Sequence, residues 1–126
     1  MLENRENINK EILHHLLDDY NWDEGFDFPK AIVEDDNCDM GTAIMCFHLA
    51  DGYTYLTDYE ELQLLRPSSE WFVFVDKLFN RIRENNFKTR QMIFDPDLTK
   101  VQKYKIKKMK LNMPIEILDG IRKGEN

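Results

Sequence analysis

The chain has 126 residues, of which 42% are hydrophobic, 12% aromatic and 33% charged, and its formal net charge is −7. These values are typical of one folded domain, residues 1–126, and argue against a disordered chain. No apolar run approaches the roughly 20 residues of a membrane span, and the first residues lack the basic and apolar regions of a secretory signal. We therefore expect a cytoplasmic protein with no membrane partner.

Charge is distributed unevenly along the chain. Residues 1–62 contain 16 acidic and 3 basic side chains, a net charge of −13, whereas residues 63–126 contain 8 acidic and 14 basic ones, a net charge of +6. Six lysines lie close together: Lys100, Lys103, Lys105, Lys107, Lys108 and Lys110. Such asymmetry bears on solubility and on partners rather than on fold. It makes an acidic surface a plausible docking site for a basic partner.

The first half of the chain shows three helical patterns. Apolar residues at spacings of three and four predict an amphipathic helix from Ile8 to Tyr20, which ends at the polar residues 21–25. Asp27 stands where an N-cap belongs for a short helix over 28–35. Asp39 is the predicted N-cap of a third helix over 40–50, which is apolar on nearly every side and should be buried, with Gly52 at its C′ position.

Further elements are predicted up to the turn at residues 95–97. Alternation at 52–55 favours a short extended piece, after which Thr57 or Asp58 would cap a helix that ends near residue 65. The strongest helix, about residues 69–85, carries an apolar stripe of Trp71, Val75, Leu78 and Ile82, widened by Phe72, Phe74 and Phe79. Residues 91–94 favour a second extended segment, and Asp95-Pro96-Asp97 predicts a turn.

Residues 100–110 are compatible with two structures. Thr99 would cap a basic helix with Val101, Tyr104 and Met109 facing inward, but the alternation over 103–107 is equally typical of a strand. A short apolar segment, 115–121, follows. The whole pattern predicts a mainly α protein: a compact helical bundle, or a short α-solenoid, of five to six helices with at most one or two short extended segments.

Few residues suggest catalysis. His14/Asp18 and His15/Asp19 are i, i+4 pairs, a spacing that can place two ligands on one metal. A metal site needs three or four ligands, so exposed polar pairs at a helix end are the favoured interpretation. Cys38 and Cys46 lack a CxxC spacing, and no nucleophile elbow, P-loop or HExxH occurs. The sequence therefore predicts no enzyme and no cofactor.

The lysine cluster is the candidate site for nucleic acid, because Tyr104 can stack on a base while the lysines neutralise phosphates. The sequence isoelectric point of about 4.9 opposes this interpretation, since an acidic chain repels a polyanion over much of its surface. A solvated helix, or an internal complement to the acidic half, is favoured.

Aromatic and acidic residues alternate in one predicted loop. Trp22, Phe26 and Phe28 stand among Asp23, Glu24 and Asp27. Aromatic residues ringed by charge suit a protein–protein hot spot, and they equally suit anchors that hold a loop to the core. We favour anchors for Phe26 and Phe28 and leave both interpretations open for Trp22.

Three stretches of sequence resemble a known family. Residues 21–32 (NWDEGFDFPKAI) and 37–43 (NCDMGTA), together with residues 94–104 (FDPDLTKVQKY), resemble small bacterial proteins catalogued as domain of unknown function 4274, and the resemblance spans about residues 12–110. It carries over no catalytic residues. It implies a genomic context near polymorphic or contact-dependent toxin loci, and hence a partner of the toxin type.

We therefore expect a non-enzymatic bacterial interaction protein, of the immunity type, that binds a basic toxin domain through an acidic face. The expected partner-binding residues are Trp22, Asp23, Glu24, Asp35, Asp36, Asp39, Asp58, Glu60 and Glu61. The alternatives are a metal-assisted hydrolase that uses His14, His15, Asp18 and Asp19, and a nucleic-acid-binding module that uses Lys100 to Lys110.

Overall fold

The computed structural model describes residues 9–109 and 111–122, so Ile8 and Lys110 lie outside the described residues. Within these ranges the elements are α1 (Lys10–Asp18), a 3-10 turn (Trp22–Glu24), α2 (Asp27–Glu34), α3 (Met40–Leu49), α4 (Gly52–Thr57), α5 (Tyr59–Leu65), α6 (Glu70–Arg83), α7 (Lys100–Lys108) and α8 (Glu116–Asp119). Six of these helices have seven or more residues. The predicted mainly α fold is confirmed, and the arrangement is a helical bundle.

Helix α3 lies at the centre of the bundle. Every residue from Met40 to Phe47 is buried, as expected for a helix that is apolar on all sides. Helices α1, α2, α4 and α6 pack around it. Its predicted N-cap is confirmed, because the Asp39 carboxylate accepts a hydrogen bond from the backbone N–H of Gly41 at 2.8 Å.

Helix α6 is the longest element among the described residues and packs along α3. Ser69 caps it by accepting a hydrogen bond from the N–H of Phe72 at 3.2 Å. Its buried side chains include Val75, Leu78 and Ile82, so the predicted stripe is confirmed. Trp71, at the rim, donates its indole N–H to the carbonyl of Ala50 at 2.6 Å.

The segment after α6 is fastened to α3 at both ends of that helix. At the N-terminal end, Asp39 also accepts hydrogen bonds from the N–H groups of Gln91 and Met92, at 2.7 and 2.8 Å. At the C-terminal end, the ring N–H of His48 donates to the carbonyl of Ile117 at 2.8 Å. Burial is the main reason that the pKa of His48 lies below its ordinary value, and this favours the neutral ring near pH 7.

The predicted extended pieces are largely absent from the described residues. Residues 52–57 form α4 instead, because the carboxylate of Asp51 bonds Thr54 Oγ1 at 2.8 Å and caps that helix. Gly52, which was predicted at the C′ position of α3, is the first residue of α4, and Asp51 before it has a positive φ of 66°. From residues 91–94, only Phe94 pairs as strand, in one antiparallel bridge with Ile121.

The ambiguity over residues 100–110 is resolved as a helix for 100–108. Thr99 and Gln102 form a reciprocal capping box at the start of α7. The predicted inward face is wrong for Val101 and Tyr104, which are 62% and 65% exposed. Ile106 faces the core instead and is fully buried.

None of the helices formed by the described ranges has both the length and the apolarity needed to cross a bilayer.

Candidate protein-docking surface

Five carboxylates lie within the ten residues that run from the end of α1 to the start of α2. Helix α1 ends at Asp18, with Asp19 as its C-cap; the 3-10 turn contains Asp23 and Glu24; and α2 begins at Asp27. All five residues are exposed. We call Asp18, Asp19, Asp23, Glu24 and Asp27 the acidic corner.

The acidic corner has no basic counterpart in the part of the chain that the structure describes. Other carboxylates do pair: Glu34 with Lys77, Glu116 with Arg90, and Asp119 with Lys103. No ion pair between described residues involves a carboxylate of the corner. Within the described residues, the corner is therefore a local concentration of negative charge that no ion pair neutralises.

The predicted N-cap role of Asp27 is wrong, and this frees the carboxylate. The N-cap position of α2 is Phe26, and no side chain accepts a hydrogen bond there. Asp27 is the first residue of the helix, where a negative charge interacts favourably with the helix dipole without a direct hydrogen bond. Its side chain is consequently available to the acidic corner.

An aromatic cluster supports the corner from beneath. The Tyr20 ring stacks on Phe28 at a centroid distance of 5.2 Å and meets Trp22 edge-on at 5.6 Å. Phe26 links the cluster to the core, because its ring lies 5.3 Å from that of Phe74 on α6. Trp22, Phe26 and Phe28 are all partly buried against the core. The cluster therefore holds the loop in place, and Trp22 retains an accessible part of its side chain.

Hydrogen bonds also order the loop. The Tyr20 hydroxyl donates to the carbonyl of Gly25 at 2.7 Å, and the Asn21 side chain accepts from the N–H of Asp23 at 3.1 Å. Gly25 has φ 95° and ψ −167°, a conformation that is essentially restricted to glycine. Burial, followed by the charges of Glu24 and Asp27, raises the pKa of Tyr20 above its ordinary value. The corner thus has a defined shape and a negative potential.

A depression lies beside the corner on the outer side of α1. It has a volume of about 530 Å³, and Ile12, Leu16 and Tyr20 provide apolar surface. Asp19 and Glu24 of the acidic corner stand among its lining residues, together with His15 and Asn21. An apolar floor with a charged rim is suited to receive a protruding side chain from another protein.

Two residues predicted for the acidic face are buried, and their prediction as contact residues is wrong. Asp39 is 0% exposed and Asp35 is 5% exposed. The Asp39 carboxylate accepts hydrogen bonds from α3 and from residues 89–92. The Asp35 carboxylate accepts a hydrogen bond from the N–H of Asn37 at 2.8 Å. A carboxylate that is buried and hydrogen-bonded in this way stabilises the fold and is not available to a partner.

The other predicted contact residues are exposed but lie on different elements. Asp36 follows the C-terminal end of α2, which is eight residues long, or about 12 Å. Asp58 immediately precedes α5, and Glu60 and Glu61 lie in its first turn. Helix α5 packs against α4. Trp22, Asp23 and Glu24 are the predicted residues that the structure brings together with further carboxylates. Sequence reasoning missed Asp18, Asp19 and Tyr20, although the acidic–aromatic alternation over 18–28 was a usable signal.

The histidine pairs do not converge on a metal. His14 Nδ1 lies 2.8 Å from Thr42 Oγ1 on α3, whereas His15 is exposed, since consecutive residues project about 100° apart around a helix. Burial is the largest influence on His14 and lowers its pKa. No group of three or more His, Cys, Asp or Glu residues within 9–109 and 111–122 is arranged to hold a metal ion.

The two cysteines are structural. Cys38 and Cys46 are free thiols in the core. Burial raises the pKa of Cys38 to about 12 and that of Cys46 well above its ordinary value. Since the thiolate is the nucleophile, neither thiol is activated near neutral pH.

The fold and the surface together define an all-α domain with an acidic corner that is packed on aromatic side chains. The family model described as Domain of unknown function (DUF4274) matches residues 8–83, and the chain belongs to this family. The matched region contains the whole acidic corner, whereas residues 94–104, which also resembled the family, lie outside it. Searches of curated proteins and of solved structures found no match.

Proposed function

We propose that this chain is a non-enzymatic bacterial interaction protein that binds a basic protein partner through the acidic corner, as an immunity protein binds a cognate toxin. The observation that carries the proposal is the set of five exposed carboxylates that no described residue neutralises, held on an aromatic cluster packed to the core.

The position of Asp18 and Asp19 supports a role beyond folding. Carboxylates at the C-terminal end of a helix meet the negative end of its dipole, which costs roughly 0.3–1 kcal/mol each at exposed sites. Both residues lie at that end of α1. Local stability therefore does not account for them, and violations of local rules concentrate at functional sites.

The physics of the interface follows from the charge and the rings. Complementary charge speeds the encounter with a basic surface and disfavours acidic competitors. The accessible part of Trp22 and the apolar floor beside Tyr20 would provide the desolvated contact that slows dissociation. Because the Tyr20–Gly25 hydrogen bond orders the loop beforehand, little conformational entropy is lost on binding.

The immunity role itself derives from the family resemblance, which implies toxin loci as the genomic context. The direct test first sequences the genes on either side of this one, and then uses the product of any toxin-like gene found there, purified as an inactive variant. Its affinity is measured by isothermal titration at about 50 and 300 mM salt, conditions that differ in electrostatic screening. Protection of growth during co-expression with the active toxin is a second, independent measurement.

The decisive variant is Asp23→Lys/Glu24→Lys, and Glu60→Lys/Glu61→Lys on α5 is the matched control with the same change in charge. We expect the corner variant to weaken binding at least tenfold (about 1.4 kcal/mol) at low salt, with a smaller loss at high salt, and to abolish protection. The α5 variant should bind nearly as the wild type. Equal affinity of both variants, with circular dichroism unchanged, would refute the acidic corner as the docking surface.

A further inference from the structure

The outward face of α7 is a basic surface built around one protruding ring. Tyr104 is 65% exposed and Val101, one turn before it, is 62% exposed. Lys100, Lys107 and Lys108 share this face, because they stand at i−4, i+3 and i+4 from Tyr104, and all three are exposed. The opposite face is used internally, through buried Ile106 and through Lys103, which contacts Asp119 at 3.4 Å.

These lysines, like the acidic corner, have no counterpart within the described residues. None of Lys100, Lys105, Lys107 and Lys108 forms an ion pair with a carboxylate of residues 9–109 or 111–122. Helix α7 packs on α4, whereas α1 packs on α2 and α3. The most basic helix and the acidic corner are thus both unneutralised and belong to different parts of the bundle.

The two surfaces are complementary in charge, and each also presents apolar side chains. The α7 face presents an aromatic side chain among ammonium groups. The depression on α1 presents an apolar floor, with Ile12 39% exposed, and the carboxylates of Asp19 and Glu24 at its lining. A tyrosine inserted there would place lysines within reach of carboxylates.

We propose that the chain self-associates, with the α7 face of one copy docked on the depression and acidic corner of a second copy. The inference rests on the proposed function in that both use the acidic corner, and it adds that a basic protein partner must compete with α7 for this surface. Because the contact joins two unlike surfaces, it either closes symmetrically when formed twice or extends into larger assemblies.

A second copy accounts for the α7 face better than a nucleic acid does. The chain carries a net charge of −7, so a polyanion approaching α7 is repelled by most of the molecule. An acidic corner of the same protein offers opposite charge over a small area only. Mobility shift of a single-stranded oligonucleotide at about 50 mM salt, by a chain that stays monomeric, would overturn the proposal in favour of nucleic acid.

The first measurement is the mass of the full chain by analytical ultracentrifugation, over a range of concentrations. At about 20 mM salt we expect mass above the monomer value of 15.1 kDa, increasing with concentration, and at about 300 mM salt we expect the monomer alone. A monomer under all conditions would refute the proposal.

A charge swap then identifies the surfaces. Lys107→Glu/Lys108→Glu alone and Asp19→Lys/Glu24→Lys alone should each weaken self-association at least tenfold, because each places like charges in contact. An equimolar mixture of the two variants should associate again. In a pair that contains one copy of each variant, both the acidic α7 face with the basic corner and the basic α7 face with the acidic corner bring opposite charges together. Lys30→Glu/Lys88→Glu changes the net charge as the first variant does, but away from α7, and should associate like the wild type.

Failure of the mixture to associate, or an equal effect of the Lys30/Lys88 variant, would overturn the assigned surfaces. These outcomes are distinguishable from failure of the proposed function. If the chain stays monomeric but binds the toxin-like protein through the corner, only the proposed self-association is refuted. If the chain self-associates but does not bind that protein, only the immunity role is refuted.

Discussion

The carboxylate of Asp39 accepts a hydrogen bond from the backbone N–H of Met92 at 2.8 Å and so joins two residues 53 positions apart. The same side chain caps α3 through Gly41 and binds Gln91 and Thr89. One buried carboxylate thereby connects the family-matched region with the segment that follows it.

Removal of the Asp39 carboxylate should destabilise the whole domain. Burial alone would raise the pKa of Asp39, but the hydrogen bonds from residues 41, 89, 91 and 92 lower it below its ordinary value. Asp39→Ala leaves buried N–H groups without an acceptor, and we expect a loss of about 3 kcal/mol or more in the free energy of unfolding. Urea titration followed by circular dichroism measures it.

The control for this change is Asp36→Ala, an exposed carboxylate three residues earlier, which should alter stability by less than about 0.5 kcal/mol. Asp39→Asn should lie between the two, because its amide retains one acceptor oxygen. Equal stability of Asp39→Ala and Asp36→Ala would contradict the role assigned to Asp39.

Stability should fall as the pH falls below about 6.5, the ordinary pKa of histidine. The pKa values of His14 and His48 are lowered in the fold, chiefly by burial, so the unfolded chain takes up protons that the folded chain does not. Between its unfolded and its folded pKa, each histidine lowers the free energy of unfolding by at most about 1.4 kcal/mol per pH unit as the pH falls. Above the unfolded pKa it causes no loss of stability.

Urea titrations between pH 8 and about 5.5 test this sign, within the range where histidine titration dominates. His48→Gln should flatten the dependence, and His14→Gln should do so as well, because burial lowers the pKa of both rings. A slope that His48→Gln and His14→Gln both leave intact would show that other groups cause it.

The orientation of α7 can be tested with two apolar truncations. Ile106→Ala removes a fully buried side chain and should cost about 2–5 kcal/mol. Val101 is 62% exposed, so Val101→Ala should lower the free energy of unfolding by less than about 0.5 kcal/mol. The reverse order of the two losses, measured by thermal or urea unfolding, would mean that α7 is rotated about its axis.

The Tyr20 hydroxyl should contribute to the order of the acidic corner. Tyr20→Phe removes its hydrogen bond to the carbonyl of Gly25, and we expect a loss of about 1 kcal/mol in stability together with faster proteolysis of the loop. Tyr104→Phe is the matched control, because that hydroxyl lies on a largely exposed ring. Identical behaviour of the two variants would show that the Tyr20 bond is unimportant for the loop.

Much of the helical framework could be predicted from sequence because its signals are local. The N-caps Asp39 and Thr99 were each identified from residue type and position, and each forms a side-chain hydrogen bond in the fold. The apolar periodicity of α6 and the all-apolar character of α3 likewise depend on neighbouring residues alone. Family membership was visible for the same reason.

The docking surface could be predicted only in part. Charge counts indicated an acidic half, but they could not distinguish the exposed Asp23 and Glu24 from the buried Asp39. The Asp39 carboxylate accepts hydrogen bonds from donors 50 or more residues away in the sequence. Nor could a weak amphipathic pattern decide which side of α7 faces inward, since Ile106 and Tyr104 are both acceptable core residues.

By itself, the sequence determined most of the longer helices, the caps Asp39 and Thr99 and the uneven charge, because each depends on residue type and short-range spacing. Only the tertiary structure decided which carboxylates remain in solvent and which are buried with donors. That decision depends on contacts between distant segments: α1 with α2 and α3 on one side, and residues 89–94 with Asp39 and His48 on the other. The acidic corner and the basic face of α7 are what those contacts leave exposed.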